Sequence, residues 1–106
     1  MDPKVKAWFE ARARIIRAIA HATRLFIVSE LAKEEKCVCE LTDLIGADMS
    51  TVSKHLALLK AAGIVRDEKR GTQVYYTLMA PCILDFLNCI GAVLKANATE
   101  QLKLAK

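Results

Sequence analysis

Residues 48–78 read DMSTVSKHLALLKAAGIVRDEKRGTQVYYTL, and two different periodicities meet inside this stretch. Its first half places Val52, Leu56 and Leu59 four and three positions apart, which is the spacing of a buried helical stripe. Gly63 is a typical residue just after the end of a helix. Beyond it, β-branched and aromatic residues predict two strands joined by a tight turn. The stretch therefore predicts a helix followed by a β-hairpin.

A short helix and a tight turn are predicted directly before this helix. The short helix is expected from Glu40 to Ile45, with acidic residues in its first turn, where the helix dipole favours them. Gly46 supplies the turn, and Asp48 is a favourable N-cap for the helix that follows. This order of elements predicts a winged helix-turn-helix, with the two helices at about residues 40–62 and the wing at about 64–78.

One long apolar helix is predicted at each end of the chain. Asp2 and Pro3 are typical of a helix start, and the first helix is expected to continue to about Ile19. Pro81 is expected to open the last helix, which ends near residue 97 and leaves a polar tail. The 106 residues are therefore expected to form one domain, mainly α-helical with a β-hairpin, and a domain this small is often stabilised by dimerisation.

The charge distribution is compatible with a polyanionic partner. The formal net charge is +4 and the sequence pI is about 9.0. Residues 50–71 hold five basic side chains against two acidic ones. An ordinary solvated surface would be equally compatible with this charge distribution. The residues on the outer side of the predicted helix distinguish a polyanion-binding surface from a solvated one.

The side of this helix opposite its apolar stripe is small and polar. Ser50 and Lys54 lie on it, and Thr51 and Ser53 lie on its flanks. Short side chains allow a helix to enter the major groove of DNA, where hydroxyl and ammonium groups can contact base edges and phosphates. The pattern therefore predicts a helix that reads double-stranded DNA.

Three further residues are candidates for contact with DNA. Lys69 and Arg70 are expected at the tip of the hairpin, where they would follow the phosphates beside the minor groove. His55 lies beside the apolar stripe, so packing or a phosphate contact is expected of it rather than metal binding.

The cysteines have to be interpreted together with the expected compartment. No apolar run approaches the roughly 18 residues of a transmembrane helix, and no signal peptide is predicted. The protein is therefore expected in the cytoplasm, without a membrane partner. Its four cysteines are then expected to be reduced, which favours metal binding or redox sensing over structural disulfides.

Three stretches of the chain resemble a family of bacterial and archaeal regulators. They are ATRL at 22–25, CVCEL at 37–41 and VSKHLALLKAAGIV at 52–65. In this order and spacing they are similar to the ArsR/SmtB family of metal-responsive repressors, over about residues 18–78. The resemblance implies a homodimer that pairs through its first and last helices and releases operator DNA when an inducer binds. It also implies a DNA-contact region made of Ser50, Thr51, Ser53, Lys54 and His55.

The CVCEL motif resembles that of family members that respond to trivalent arsenic or antimony, and no permanent cofactor is expected. Thiolates are soft ligands that suit such ions, and cysteines at a helix N-terminus are expected to have lowered pKa values. Cys37 and Cys39 can converge on one ion if the start of their helix is frayed. Thr42 stands where the family pattern has a third cysteine, so a third thiol would come from Cys82, Cys89, a partner subunit or a small thiol.

Cys82 and Cys89 leave a second sensing chemistry open. They are seven residues apart on the predicted last helix, roughly 10 Å along its axis, which is too far to hold one ion together. They are expected either to be small buried residues at a helix interface, or to supply one partner for Cys37 or Cys39. The second arrangement resembles family members that sense persulfides or oxidants.

Other classes are less compatible with the sequence. The last helix lacks the Asp-x-His zinc ligands of the family, because Phe86 and Leu87 follow Asp85. A thiol enzyme is disfavoured, since no catalytic partner for a cysteine is recognisable and no βαβ unit is predicted. A winged-helix interaction module that never contacts DNA stays as an alternative, and steep salt dependence of binding would distinguish a DNA binder from it.

Overall fold

The computed structural model describes residues 1–105 of the chain. Within these residues, five helices and three strands follow one another: α1 (Pro3–Ile19), α2 (Ala22–Lys33), β1 (Lys36–Cys37), α3 (Val38–Ile45), α4 (Met49–Ala61), β2 (Val65–Arg70), β3 (Gln73–Leu78) and α5 (Ile83–Ala105). Helices α3 and α4 form the helix-turn-helix, and β2 and β3 form the hairpin beside it. The winged helix-turn-helix predicted from the sequence is confirmed.

The hydrophobic core lies between the helix-turn-helix, α2 and the sheet. Ile27 of α2, Leu41 of α3 and Leu56 of α4 are all 0% exposed. Ile19 at the end of α1 and Ile83 at the start of α5 join the same cluster. Each such side chain contributes about 1.5–3 kcal/mol by burial, so the helix-turn-helix is firmly held. The outer helices α1 and α5, by contrast, contribute buried residues only where they meet this body.

The sheet contains a strand that the sequence did not predict. Its strand order is β1-β3-β2, and both neighbours of β3 are antiparallel to it. In β1, Lys36 pairs with Tyr76 and Cys37 pairs with Tyr75. Two residues are too few to show the alternation that predicts a strand, and this one exists because β3 supplies its hydrogen-bonding partner. The first of the two predicted sensor cysteines is therefore part of the wing sheet.

The hairpin turn lies one step beyond its predicted position. Lys69 and Arg70 were expected at the tip, but they are the last two residues of β2. The turn itself is made by Gly71 and Thr72. Gly71 has a φ of +63°, a left-handed conformation that glycine adopts without steric cost.

The last helix begins later and ends later than predicted. Pro81 and Cys82 form a turn, and α5 begins at Ile83. The expected polar tail is wrong for residues 97–105, because they contain strong helix formers and continue α5. Lys106 lies outside the described residues. Over the described part of the chain, no helix is long and apolar enough to cross a membrane.

Candidate DNA-reading face and thiol site

Helix α4 separates an apolar side from a polar side, as its sequence predicts. Val52, Leu56 and Leu59 are 0% exposed and anchor the helix in the core. The four predicted reading residues are all exposed on the helix surface: Ser50, Thr51, Ser53 and Lys54. A rigid helix therefore presents three hydroxyl groups and one ammonium group to the solvent.

Asp48 organises the first turn of this surface. As predicted, it occupies the N-cap position of α4, but in the described structure its side chain makes no capping bond to the helix backbone. Its carboxylate instead accepts hydrogen bonds from the hydroxyls of Ser50 and Thr51, the latter at 2.5 Å. These two bonds lower the pKa of Asp48 to about 2. Because both hydroxyls donate to Asp48, their lone pairs remain to accept hydrogen bonds from base amino groups.

His55 belongs to a cluster behind the reading face. It is half-buried, and its Nδ1 accepts a hydrogen bond of 3.1 Å from the guanidinium of Arg24. Its ring centroid lies 4.5 Å from that of His21, whose own Nδ1 accepts from the backbone N–H of Thr23 and caps α2. Burial, followed by the charges of His21 and Arg24, lowers the pKa of His55. Of the two roles open to His55 from sequence, this geometry favours packing.

Two of the basic residues of the hairpin, Lys69 and Arg70, were expected to contact DNA. Both Lys69 and Arg70 are exposed. The guanidinium of Arg70 donates to Glu35 at 2.6 and 3.1 Å and to Glu68 at 3.0 Å, and these hydrogen bonds raise its pKa. Phosphates must therefore compete with two carboxylates for Arg70.

Cys37 is the N-cap of α3. Its Sγ accepts a hydrogen bond of 3.4 Å from the backbone N–H of Glu40, and the Glu40 carboxylate accepts from the backbone N–H of Cys37, also at 3.4 Å. The thiol additionally donates to the same carboxylate at 3.3 Å. This reciprocal arrangement is a capping box with a thiol in place of the usual hydroxyl. The start of the helix is therefore capped, so the frayed start that would let Cys37 and Cys39 converge on one ion is not the conformation of the described structure.

The environment of Cys37 also reverses the pKa prediction. Its side chain is buried, and this burial raises the pKa of the thiol. The hydrogen bond to the Glu40 carboxylate and the negative charge of that carboxylate also raise the pKa of the thiol, whereas the hydrogen bond from the backbone N–H of Glu40 lowers it. The favourable field of a helix N-terminus is real but smaller than these combined effects. Cys37 is therefore a protonated thiol at neutral pH in this conformation.

Cys39 faces a different partner. It lies in the first turn of α3, half-buried, and its Sγ donates to the side-chain carbonyl of Gln73 at 3.3 Å. The sulfur atoms of Cys37 and Cys39 thus contact Glu40 and Gln73 respectively. Among the described residues, no group of three His, Cys, Asp or Glu side chains is arranged to hold a metal ion. An ion bound to both sulfur atoms would replace the thiol hydrogens that Glu40 and Gln73 accept.

The other two cysteines, Cys82 and Cys89, are exposed within the single chain. Cys82 is in the turn before α5, which corrects its predicted position on the last helix. It lines an apolar cavity of about 370 Å³ between α1 and α5, together with Ile15, Ile16 and Phe86. Cys89 lies within α5.

Helices α1 and α5 expose many large apolar side chains. On α1 these are Val5, Trp8, Phe9, Ile15 and Ile16, with exposed fractions of 40–57%. On α5 they are Phe86, Ile90, Val93, Leu94 and Leu102, at 42–67%. An apolar surface this extensive is uncommon on a monomer and typical of an interface with another protein.

The comparisons with known proteins agree with this architecture. The profile of the family described as "Bacterial regulatory protein, arsR family" matches residues 21–67. An uncharacterised helix-turn-helix transcriptional regulator from Methanocaldococcus jannaschii is 34% identical over 83 residues, which cover 77% of this chain and 93% of that protein. The chain belongs to the ArsR family. The family and the relatives described here are transcriptional regulators rather than enzymes.

Other ArsR-family relatives are longer than this chain. The transcriptional repressor SmtB of Mycobacterium tuberculosis is 37% identical over 87 residues, covering 78% of this chain and 64% of that protein. An arsenic resistance transcriptional regulator of Pseudomonas putida is 40% identical over 65 residues, covering 60% and 51%. The chain thus spans less than two thirds of the length of either protein. A solved homodimeric winged helix-turn-helix DNA-binding domain from Mycobacterium bovis matches with a TM-score of 0.74 and 28% identity, covering 90% of this chain and 87% of that one.

Two residues that contact the cysteine segment or the hairpin were missed by the sequence analysis. Gln73 contacts Cys39 across 34 positions of sequence, and Glu35 contacts Arg70 across 35. Neither residue type suggests a thiol partner or a hairpin partner from sequence. The pairing of β1 with β3 brings these residues next to their partners.

Proposed function

We propose that this ArsR-family chain is a homodimeric transcriptional repressor of double-stranded operator DNA. It releases the DNA when trivalent arsenic or antimony binds the thiols of Cys37 and Cys39. The observation that carries the DNA-binding part is the row of exposed hydroxyls and one ammonium group on α4, opposite a stripe that is 0% exposed. A buried stripe of this kind fixes the helix so that its outer side can enter the major groove.

The DNA contacts divide into base contacts and phosphate contacts. Ser50, Thr51 and Ser53 are short enough to reach base edges, and Lys54 can reach either a guanine edge or a phosphate. Lys69 and Arg70 supply phosphate contacts from the hairpin, with Arg70 exchanging its carboxylate partners for phosphate. His55 acts indirectly by fixing α4 against Arg24.

The apolar surfaces of α1 and α5 support the homodimer. Ile90, Val93 and Leu94 continue the apolar side of α5 beyond the part that contacts the core, and they are 42%, 58% and 65% exposed. Pairing with the same surface of a second chain would remove them from water, as in a two-fold symmetric interface. A dimer would also present two reading helices to two DNA half-sites.

The inducer part rests on the donor chemistry of the thiol site. Trivalent arsenic and antimony are soft ions that prefer thiolate ligands. With arsenous acid, each thiol forms one S–As bond while one As–O bond breaks, and the thiol proton leaves with the hydroxide as water. Two cysteines therefore bind with release of two water molecules and without any oxidant. Thr42 offers only a buried hydroxyl that has no partner in the described structure, so a third thiol would come from Cys82, Cys89, a partner subunit or a small thiol.

Replacing Lys54 with alanine is expected to weaken operator binding by about 5- to 150-fold, the equivalent of one lost base or phosphate contact of about 1–3 kcal/mol. The measurement is the anisotropy of labelled DNA from upstream of the protein's own gene, at fixed salt. Lys60→Ala is the matched control, because Lys60 is on the same helix but its Nζ is paired with Asp67 at 3.0 Å. Equal losses for both variants would remove the outer side of α4 from the reading role.

Replacing Cys37 and Cys39 together with serine is expected to keep operator binding and abolish the effect of arsenite. Serine is a good N-cap, so α3 keeps its start. In the unmodified protein, arsenite is expected to weaken binding by about 5- to 150-fold, a typical coupling between two sites. The control is Cys82→Ser with Cys89→Ser: an intact response is expected if two thiolates suffice, and a lost response would show that one of these two cysteines completes the site. Release of DNA from the first variant by arsenite would place the sensor elsewhere.

The same anisotropy titration distinguishes the alternatives. Release by a persulfide donor but not by arsenite would indicate a pairing of Cys37 or Cys39 with Cys82 or Cys89. Absence of binding at low salt would favour an interaction module that does not bind DNA.

A further inference from the structure

The wing hairpin is attached to the cysteine segment by more than the β1 and β3 ladder. Glu35 stands immediately before β1, and Cys39 stands two residues after it. Glu35 accepts hydrogen bonds from Arg70 at 2.6 and 3.1 Å, and Gln73 accepts one from Cys39 at 3.3 Å. Side-chain contacts to the hairpin are therefore made both just before and just after β1.

The Glu35–Arg70 and Cys39–Gln73 contacts both involve the end of the hairpin next to its turn. Arg70 and Gln73 are cross-strand partners, the last pair before the Gly71 turn. Both strands of the hairpin are thus tied, beside the turn, to residues next to Cys37. The Arg70 guanidinium also lies 4.7 Å from the centroid of the Tyr75 ring, and Tyr75 itself pairs with Cys37.

We infer that Gln73 is a positioning residue that holds the wing through Cys39, and that inducer binding releases it. This inference rests on the function proposed above. The Sγ of Cys39 donates its hydrogen to Gln73, and a thiolate bound to an ion has no hydrogen left to donate, so inducer binding breaks this contact. The thiol hydrogen that Gln73 accepts departs as water when the S–As bond forms.

The consequence for DNA binding follows from the place of Gln73 in the hairpin. With the contact made, the wing is held in one position relative to α3 before DNA arrives. With the contact broken, the wing has more freedom, and DNA binding has to order it again. Inducer binding and operator binding then oppose each other through the position of the wing.

The test compares Gln73→Met with the unmodified protein. Methionine keeps the length and flexibility of the side chain but removes its carbonyl acceptor. One hydrogen bond accounts for about a fivefold change in an equilibrium constant. We therefore expect arsenite to bind the DNA-free variant about fivefold more tightly, because the contact no longer has to be broken. The arsenite-dependent weakening of operator binding is expected to shrink by up to about fivefold.

Two measurements keep this test separate from the test of the proposed function. Arsenite affinity is titrated without DNA by the ultraviolet absorbance of the S–As bonds, and operator affinity is measured by anisotropy with and without arsenite. Thr72→Ala, in the turn next to Gln73, is the matched control and is expected to change neither quantity. A merely structural role of Gln73 would weaken operator binding equally in both states and leave arsenite affinity unchanged, which would overturn the inference. If arsenite fails to release DNA from the unmodified protein, the proposed function itself is wrong.

Discussion

A Leu56→Ala variant is expected to lose about 3 kcal/mol of unfolding free energy, roughly a hundredfold in the folding equilibrium. Leu56 is 0% exposed and lies at the middle of the stripe by which α4 packs on the core. Its removal leaves a cavity that the surrounding helices and sheet close only in part. For a domain of this size the midpoint of thermal unfolding is expected to fall by on the order of 10 °C or more.

Leu58 offers the matched control for this substitution. It is on the same helix, two positions away, and it is 52% exposed. Leu58→Ala is expected to stay within roughly 0.5 kcal/mol of the unmodified protein, as for most surface changes. Both variants are compared by urea or thermal unfolding at one protein concentration, because the stability of a dimer depends on concentration. Similar losses for the two would contradict the assignment of the inner and outer sides of α4.

The success of the sequence analysis at α4 has a physical reason. A helix with one buried side repeats its apolar residues every three or four positions, so Val52, Leu56 and Leu59 define the inner side without any knowledge of the rest of the fold. The exposed side, for which we propose DNA contacts, is then the opposite side. The hairpin is equally local, since its strands are neighbours in sequence and its turn needs a residue such as Gly71.

The contacts of Cys37 and Cys39 could not be predicted from such a local pattern. The sequence identifies Cys37 and Cys39 as a soft donor pair. It does not indicate that Cys39 contacts Gln73, 34 positions away, or that the fold buries Cys37. The strand containing Cys37 exists only because β3 lies beside it. The pKa of Cys37 is raised because the fold buries it, whereas the sequence indicates only the helix N-terminus that would lower it. Long-range pairing therefore decided the strand, and burial decided the direction of the thiol pKa, whereas the capping box of Cys37 and Glu40 is a local contact that the sequence analysis did not anticipate.

The apolar sides of α1 and α5 lead to the second large expected effect. An Ile90→Glu variant is expected to be monomeric, because a carboxylate at the centre of an apolar interface has no partner to offset its desolvation. Operator affinity is expected to fall on the order of a hundredfold or more, since two linked reading helices bind far more tightly than one. Sedimentation analysis gives the assembly state, and DNA anisotropy gives the affinity.

Ala92→Glu is the matched control. It tests whether the loss of the dimer depends on the position of the new carboxylate or only on its charge. Ala92 is exposed and lies two residues further along α5, about 200° around the helix from Ile90, and so on its opposite side. The same negative charge there is expected to leave both the dimer and operator affinity nearly unchanged. If Ile90→Glu stays dimeric, the interface lies on another surface. If it becomes monomeric and still binds the operator as tightly, the two reading helices do not act together.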